Sequence, residues 1–212
     1  MNDIEQSNSS VSEHNPSFVY MLNGNCYINL TNLCTLRCQF CPKFNKHWDV
    51  KGYNLHLEKE PSVKDIIEGI GDTSKYKEIV FCGLGEPTMK LSKLLQVSKI
   101  LKKKNARIRL NTDGLGNLVN GMDITQKLAD NIDAISISLN AQNETVYNKH
   151  CRPPQTGTYT ALLDFIGAIS KKMNDVTLTV IDGLADVNIS ECERMARHYG
   201  VKFNRRVLDK VG

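Results

Sequence analysis

Apolar positions along the chain repeat with two periods that take turns. Short runs rich in β-type residues lie at 26–31, 78–82, 107–111, 133–139, 176–181 and 201–208. Between them, apolar residues recur every three or four positions, the spacing of one helix face. Val63, Ile66, Ile67 and Ile70 form one such face, with Ser62 as N-cap and Asp65 completing a capping box. Leu91, Leu94, Leu95 and Leu101 mark a second helix, 123–130 a weaker third, and 158–172 a fourth with Tyr159, Leu162, Leu163, Ile166 and Ile169 inward. A fifth is expected after Ser190, with Glu193 at the box position and Gly200 as its stop.

Strands alternating with helices give right-handed crossovers and a parallel sheet. The expected fold class is α/β, with six strands curling into an open, partial (β/α)6 barrel rather than a closed one of eight. In the fourth run, Ile135, Ile137 and Leu139 alternate with Ser136, Ser138 and Asn140, so one face of that strand is polar. A parallel sheet is normally covered on both faces. The polar face is therefore expected to point into the barrel, where its groups need partners.

Composition narrows the function classes. With 212 residues and 41% hydrophobic content, the chain suits one globular domain, expected over 20–212 behind a polar, flexible tail at 1–19. A net charge of +4 is too small to argue for nucleic acid or a membrane surface. The basic run Lys102-Lys103-Lys104 falls at a predicted helix end, where cations favour the dipole. No apolar stretch spans a bilayer, and the N-terminus lacks the apolar core of a secretion signal. The odd set of seven cysteines shows no disulfide framework, which fits a reducing, cytoplasmic compartment.

Three of those cysteines carry the chemistry. Cys34, Cys38 and Cys41 follow the first strand in C-x3-C-x2-C spacing, with Phe40 just before the last. Such a short segment can wrap an inorganic cluster and offer it three thiolates. With no obvious fourth thiolate, one iron of a cubane keeps an open position. A zinc site completed by a His, with His47 the near candidate, or by a distant Cys fits the same spacing, as do three ordinary buried thiols. The remaining motifs are Gly83-Leu84-Gly85-Glu86-Pro87 after the second strand, Asn111-Thr112-Asp113-Gly114 after the third and Ser138 with Asn140 closing the fourth. Each follows the C-terminal end of a strand, and in parallel α/β folds those ends share the ligand-binding face.

In these motifs, in their order and spacing, the chain from about Tyr20 resembles the radical S-adenosylmethionine (radical SAM) superfamily. The stretches 23–31 and 147–153 resemble the small group of TatD-associated radical SAM proteins. The resemblance implies a [4Fe–4S] cluster on Cys34, Cys38 and Cys41, with SAM chelating the fourth iron. Reductive cleavage of SAM would give a 5′-deoxyadenosyl radical that abstracts hydrogen from an unknown substrate. Position by position, Phe40 would pack near the adenine, and Gly83 and Gly85 would let the backbone approach the methionyl group. Glu86 would support that turn or contact the amino group; Gly-Leu-Gly-Glu-Pro stands where Gly-Gly-Glu-Pro is commoner. Ser138 and Asn140 would hold the ribose, Asn111 would touch SAM or substrate, and Ile181 with Val180 would flank the adenine. Arg152 would pair with the SAM carboxylate.

The resemblance leaves several readings open. One is an activase that installs a radical on a glycine of a partner enzyme; another acts on a small heterocycle or nucleotide. From a different class comes a non-catalytic iron–sulfur or zinc protein, which predicts neither SAM binding nor cleavage. Implied partners are a reductant such as flavodoxin or ferredoxin and a substrate that includes proteins among its candidates. Cys26, Cys82, Cys151 and Cys192 are scattered and suggest no second cluster, although Cys82 and Cys151 adjoin motifs.

Overall fold

The computed structural model describes residues 17–208. Seven strands make one sheet: β1 (Val19–Leu22), β2 (Asn25–Ile28), β5 (Ile79–Phe81), β6 (Ile108–Thr112), β7 (Ala134–Ser138), β8 (Val176–Asp182) and β9 (Lys202–Val207). Their order in the sheet is their order in the chain, and β1 and β9 are not paired with each other. The result is a curled, open barrel wall. The six predicted runs are the six parallel strands β2, β5, β6, β7, β8 and β9. β1 was not expected. It forms an antiparallel hairpin with β2 across Asn23-Gly24, both at positive φ. The tail expected at 1–19 lies outside the described residues up to 16, and Val19 already belongs to β1. Two very short strands, β3 (Asp49–Val50) and β4 (Tyr53–Asn54), form a separate ribbon after the cysteine segment.

Helices α1 (Val63–Ile70), α2 (Leu91–Lys103), α4 (Thr125–Ala129) and α6 (Thr158–Ile169) fall in the predicted segments. The capping box at α1 forms in both directions: Asp65 N–H donates to Ser62 Oγ at 3.2 Å, and Ser62 N–H to Asp65 Oδ2 at 2.8 Å. The cap of α7 (Ile189–His198) differs from the expectation. Asn188, not Ser190, is its N-cap, and the Asn188 side chain accepts from Glu191 N–H at 3.1 Å. Both residues have Glu three positions on, and the helix starts at the earlier one. α3 (Gly116–Asn120) and α5 (Glu144–Cys151) were not predicted.

The core lies between the outer face of the sheet and the helices. Ile108, Leu110, Ile135, Ile137, Leu178 and Val180 are buried there against Leu94, Val97, Leu101, Leu162, Phe165 and Ile166. Each such side chain contributes about 1.5–3 kcal/mol on burial. The alternate residues of the same strands, Arg109, Asn111, Ser136, Ser138 and Thr179, face the other way and line a cavity. The polar stripe of β7 thus points inward as its alternation implied. No helix among the described residues is long and apolar enough to cross a membrane.

Two thiols in this core make stability depend on pH. Burial pushes Cys26 up to about 12 and Cys192 up to about 11, from an ordinary value of 9.0. The unfolded chain releases these protons near pH 9.0 while the fold still holds them. The sign follows: their contribution is intact below pH 9.0 and is lost as pH rises through 11 and 12. Melting temperature is expected to fall steadily above pH 9.0, and Cys26→Val with Cys192→Val to make that fall shallower.

Candidate active site

The cysteine segment leaves β2 through Asn29–Thr31 and is anchored on both sides. Asn29 Nδ2 donates to Leu55 O at 2.8 Å, and Asn32 exchanges two bonds with Leu57 at 2.7 and 3.1 Å. On the other flank, Arg37 N–H donates to Cys151 O at 3.1 Å and Gln39 N–H to His150 O at 2.9 Å. α5 therefore presents its C-terminal carbonyls to the middle of the cysteine loop. His150 is buried and bridges further. Its Nε2 donates to Ala185 O at 2.6 Å, which leaves Nδ1 to accept from the Gln39 side chain.

Cys34, Cys38 and Cys41 line one cavity of about 500 Å³ at the C-terminal ends of the strands. Phe40 lines it too while packing on the core. Burial, then the nearby Asp113, pushes Cys34 up to about 12. Cys38 is raised by a hydrogen bond with Cys151 and by burial, and Cys41 by burial. Binding a metal to these thiols must displace protons. Among the described residues, no three Cys, His, Asp or Glu side chains are placed to share one metal ion. His47, the expected fourth zinc ligand, is exposed and does not line the cavity.

The turn after β5 forms the next wall. Gly83, Gly85 and Glu86 all line the cavity, and the glycines are needed where the turn packs on the segment leading into the cysteines. A Cβ on Gly85 would lie 2.0 Å from Thr31 O and 2.6 Å from Leu33 O; one on Gly83 would lie 2.1 Å from Asn29 Oδ1. Close packing against the segment that leads into the cysteines thus explains both glycines. Glu86 is buried, and of its two expected roles it performs the supporting one. Its Oε1 accepts from Thr88 N–H at 2.9 Å, Thr88 Oγ1 at 2.7 Å and Thr112 Oγ1 at 2.8 Å. Its Oε2 accepts from Asp113 N–H at 2.8 Å, and its own N–H donates to Leu33 O at 2.7 Å. The carboxylate ties together the turns after β5 and β6, and the backbone N–H of the same residue holds the cysteine segment.

Asn111 lies on the inner face of β6 with its Oδ1 buried and unpartnered. Ser138, Asn140 and Ile181 line the cavity, with Asn140 at positive φ just past β7. Asn140 Nδ2 also reaches Cys151 Sγ at 3.8 Å. Arg152 is the exception. It caps α5 at positive φ, is exposed, and reaches Gln39 Oε1 at 3.4 Å from outside the cavity wall.

Several wall residues were missed by sequence reasoning. Asp113, quoted only as part of a motif and given no role of its own, is buried in the wall and accepts from Thr35 Oγ1 and Leu115 N–H. Burial, then the neighbouring Glu86, pushes its carboxyl well up. Tyr20, Tyr27, Arg109, Thr179, Asn204 and Arg206 also line the cavity. Inward alternation in β6 and β9 was the available signal for Arg109 and Arg206.

With this geometry in place, the chain can be set beside known proteins. A family described as the radical SAM superfamily matches residues 28–199. A dual-specificity RNA methyltransferase RlmN from Buchnera aphidicola subsp. Schizaphis graminum is 30% identical over 128 residues, 54% of this chain and 32% of that protein. Streptococcus suis SuiB bound to precursor peptide SuiA superposes with a TM-score of 0.66 at 13% identity, covering 87% of this chain and 39% of SuiB. Native anSMEcpe with bound AdoMet and Cp18Cys peptide gives 0.59 at 14% identity, covering 89% and 51%. The chain thus spans about a third of the curated relative, at 32%, and the solved structures speak for the fold.

Proposed function

The chain belongs to the radical SAM superfamily, whose cofactors are a [4Fe–4S] cluster and SAM, and we propose that it uses the cavity to generate a radical on a polar substrate. Its residues fit both cofactors. Three thiols sit on one loop at the cavity, and an orphan acceptor, Asn111 Oδ1, awaits a donor in the wall. Cys34, Cys38 and Cys41 would hold the cluster; Phe40, Gly83, Gly85, Asn111, Ser138, Asn140 and Ile181 would surround SAM, with Glu86 setting the turn. Arg152 would have to swing from Gln39 to serve the SAM carboxylate. When bound, the two cofactors supply reductive cleavage of SAM and the 5′-deoxyadenosyl radical that removes hydrogen.

The chain's own part is positioning and exclusion. α5 and the Glu86 hub fix the loop and the turns, so the site is preorganised before any ligand arrives. Phe40 and Leu36 make the cysteine wall apolar, which keeps water from the reacting atoms. Arg37, Lys43 and Lys46 lie on the cysteine loop, with Phe44 exposed beside them. A basic surface of this kind suits an acidic one-electron carrier such as flavodoxin or ferredoxin. A peptide or protein substrate, of the sort present in the SuiB complex, would enter by the open side between β1 and β9. The narrower likeness to TatD-associated radical SAM proteins rests on 23–31 and 147–153.

The observation that carries this reading is the convergence of the cysteine loop, the Gly-Leu-Gly-Glu-Pro turn and the inner face of β7 on one cavity. Anaerobic reconstitution followed by SAM and a strong reductant tests it. Formation of 5′-deoxyadenosine is expected, with a SAM-dependent change in the electron-resonance spectrum of the reduced cluster. Protein that takes up zinc in place of iron and sulfide, or whose cluster ignores SAM, would show a structural or electron-carrying protein instead.

A further inference from the structure

The cavity wall between β6 and β9 is polar and cationic. Arg109 and Asn111 come from β6, Ser136 from β7, Thr179 from β8 and Arg206 from β9. The two carboxylates in the wall, Glu86 and Asp113, are already taken up by protein donors. Arg109 holds Glu78 with Nε at 3.0 Å, inside a network where Arg107, Arg109 and Lys202 meet Glu78 and Asp175. Three cations against two anions leave an excess positive charge, and Arg109 is the member that faces the cavity. Along β9, Arg205 turns to Asp182 with Nε at 2.8 Å, while the next residue, Arg206, lines the cavity. Both arginines line the same cavity as Cys82, and their charges favour its thiolate. Asn111 Oδ1 is buried in the same wall and has no partner.

We propose that the substrate carries an anionic group, a carboxylate or a phosphate, received by Arg206 and Arg109, with an N–H or O–H donor beside it facing Asn111 Oδ1. This rests on the cavity being the radical SAM site. The planar fork of arginine matches the paired oxygens of either anion. Arg109 is partly shielded from water, which strengthens its attraction over the value on an open surface. The donor beside the anion satisfies an acceptor that is otherwise buried at a cost. The pair of contacts fixes the substrate's orientation against the cysteine side of the cavity.

SAM has a carboxylate of its own, so the test uses full-length protein reconstituted with its cluster and saturated with SAM. Oxalate, its uncharged analogue oxamide, and inorganic phosphate are titrated in separately by calorimetry. At least one anion is expected to bind and oxamide not to; the tighter anion identifies the carboxylate or phosphate source. Arg206→Gln should weaken that binding about tenfold, the loss of one charge-assisted contact, and Arg206→Lys should restore part of it. Arg205→Gln removes the same charge from the same strand on the other side, and should leave binding unchanged. No anion binding, equal binding of oxamide, or equal weakening by Arg205→Gln would overturn the anion site. The SAM-dependent electron-resonance change is recorded on the same samples. Its absence overturns the radical SAM reading, whereas its presence without anion binding overturns only the anion site.

Discussion

Cys38→Ala is expected to leave the protein nearly free of iron and sulfide and to reduce 5′-deoxyadenosine to background. Cys38 occupies the middle of the anchored loop, packed on the core and against Cys151. The backbone on either side of it, at Arg37 and Gln39, is bonded to the end of α5, so the loop cannot shift to offer another ligand. Two thiolates then remain for a cluster that uses three. Cys192→Ala is the matched control: that thiol is fully buried on α7 and lines no part of the cavity. It should cost about 1 kcal/mol of stability while keeping the full iron complement. Iron and sulfide analysis with product assay on both variants decides the point. A Cys38→Ala protein that retained cluster and product would remove the loop from its assigned role.

Gly85→Ala is expected to damage the fold and SAM binding together. The new methyl would meet two backbone carbonyls, at 2.0 and 2.6 Å, rather than a side chain able to turn aside. Those carbonyls belong to Thr31 and Leu33, held by the Thr31 Oγ1–Glu60 bond of 2.7 Å and the Glu86 N–Leu33 O bond of 2.7 Å. Relieving the clash means moving the turn and breaking the second of these. The cost is on the order of 3 kcal/mol, a fall in melting temperature of roughly 10 °C for a chain of this size. Thermal melts and SAM titration of the reconstituted variant read the two effects. If the glycine served only to admit the methionyl group, the melt would stay at its wild-type position while SAM binding failed.

The sequence revealed much of this architecture because most of it is written in periodicity. Ile135, Ile137 and Leu139 against Ser136, Ser138 and Asn140 gave both the strand and the face that lines the cavity. β1 and α5 escaped for different reasons. The run 19–22 is too short to alternate clearly, and its pairing comes from the Asn23-Gly24 turn, a signal present but unused. α5 has a weak apolar face, and its bounds are set by the Asn143 cap and by Arg152 ahead of Pro153. At the site, residue types found the three cysteines of the cavity, but not what lies across space. Thr35 and Asp113, or Gln39 and His150, are distant in sequence and meet only after the barrel wall curls. The direction in which Gly83 and Gly85 need room was likewise invisible, because it depends on a segment some fifty residues earlier.

The Glu86 hub constrains how such a protein can change over generations. Because one side chain satisfies donors from Thr88, Thr112 and Asp113, replacements at these positions will not behave as independent events. Once the first bond is lost, the second costs less than it would alone. Drift in this corner of the molecule should therefore proceed by paired substitutions, each neutral only in the company of its mate.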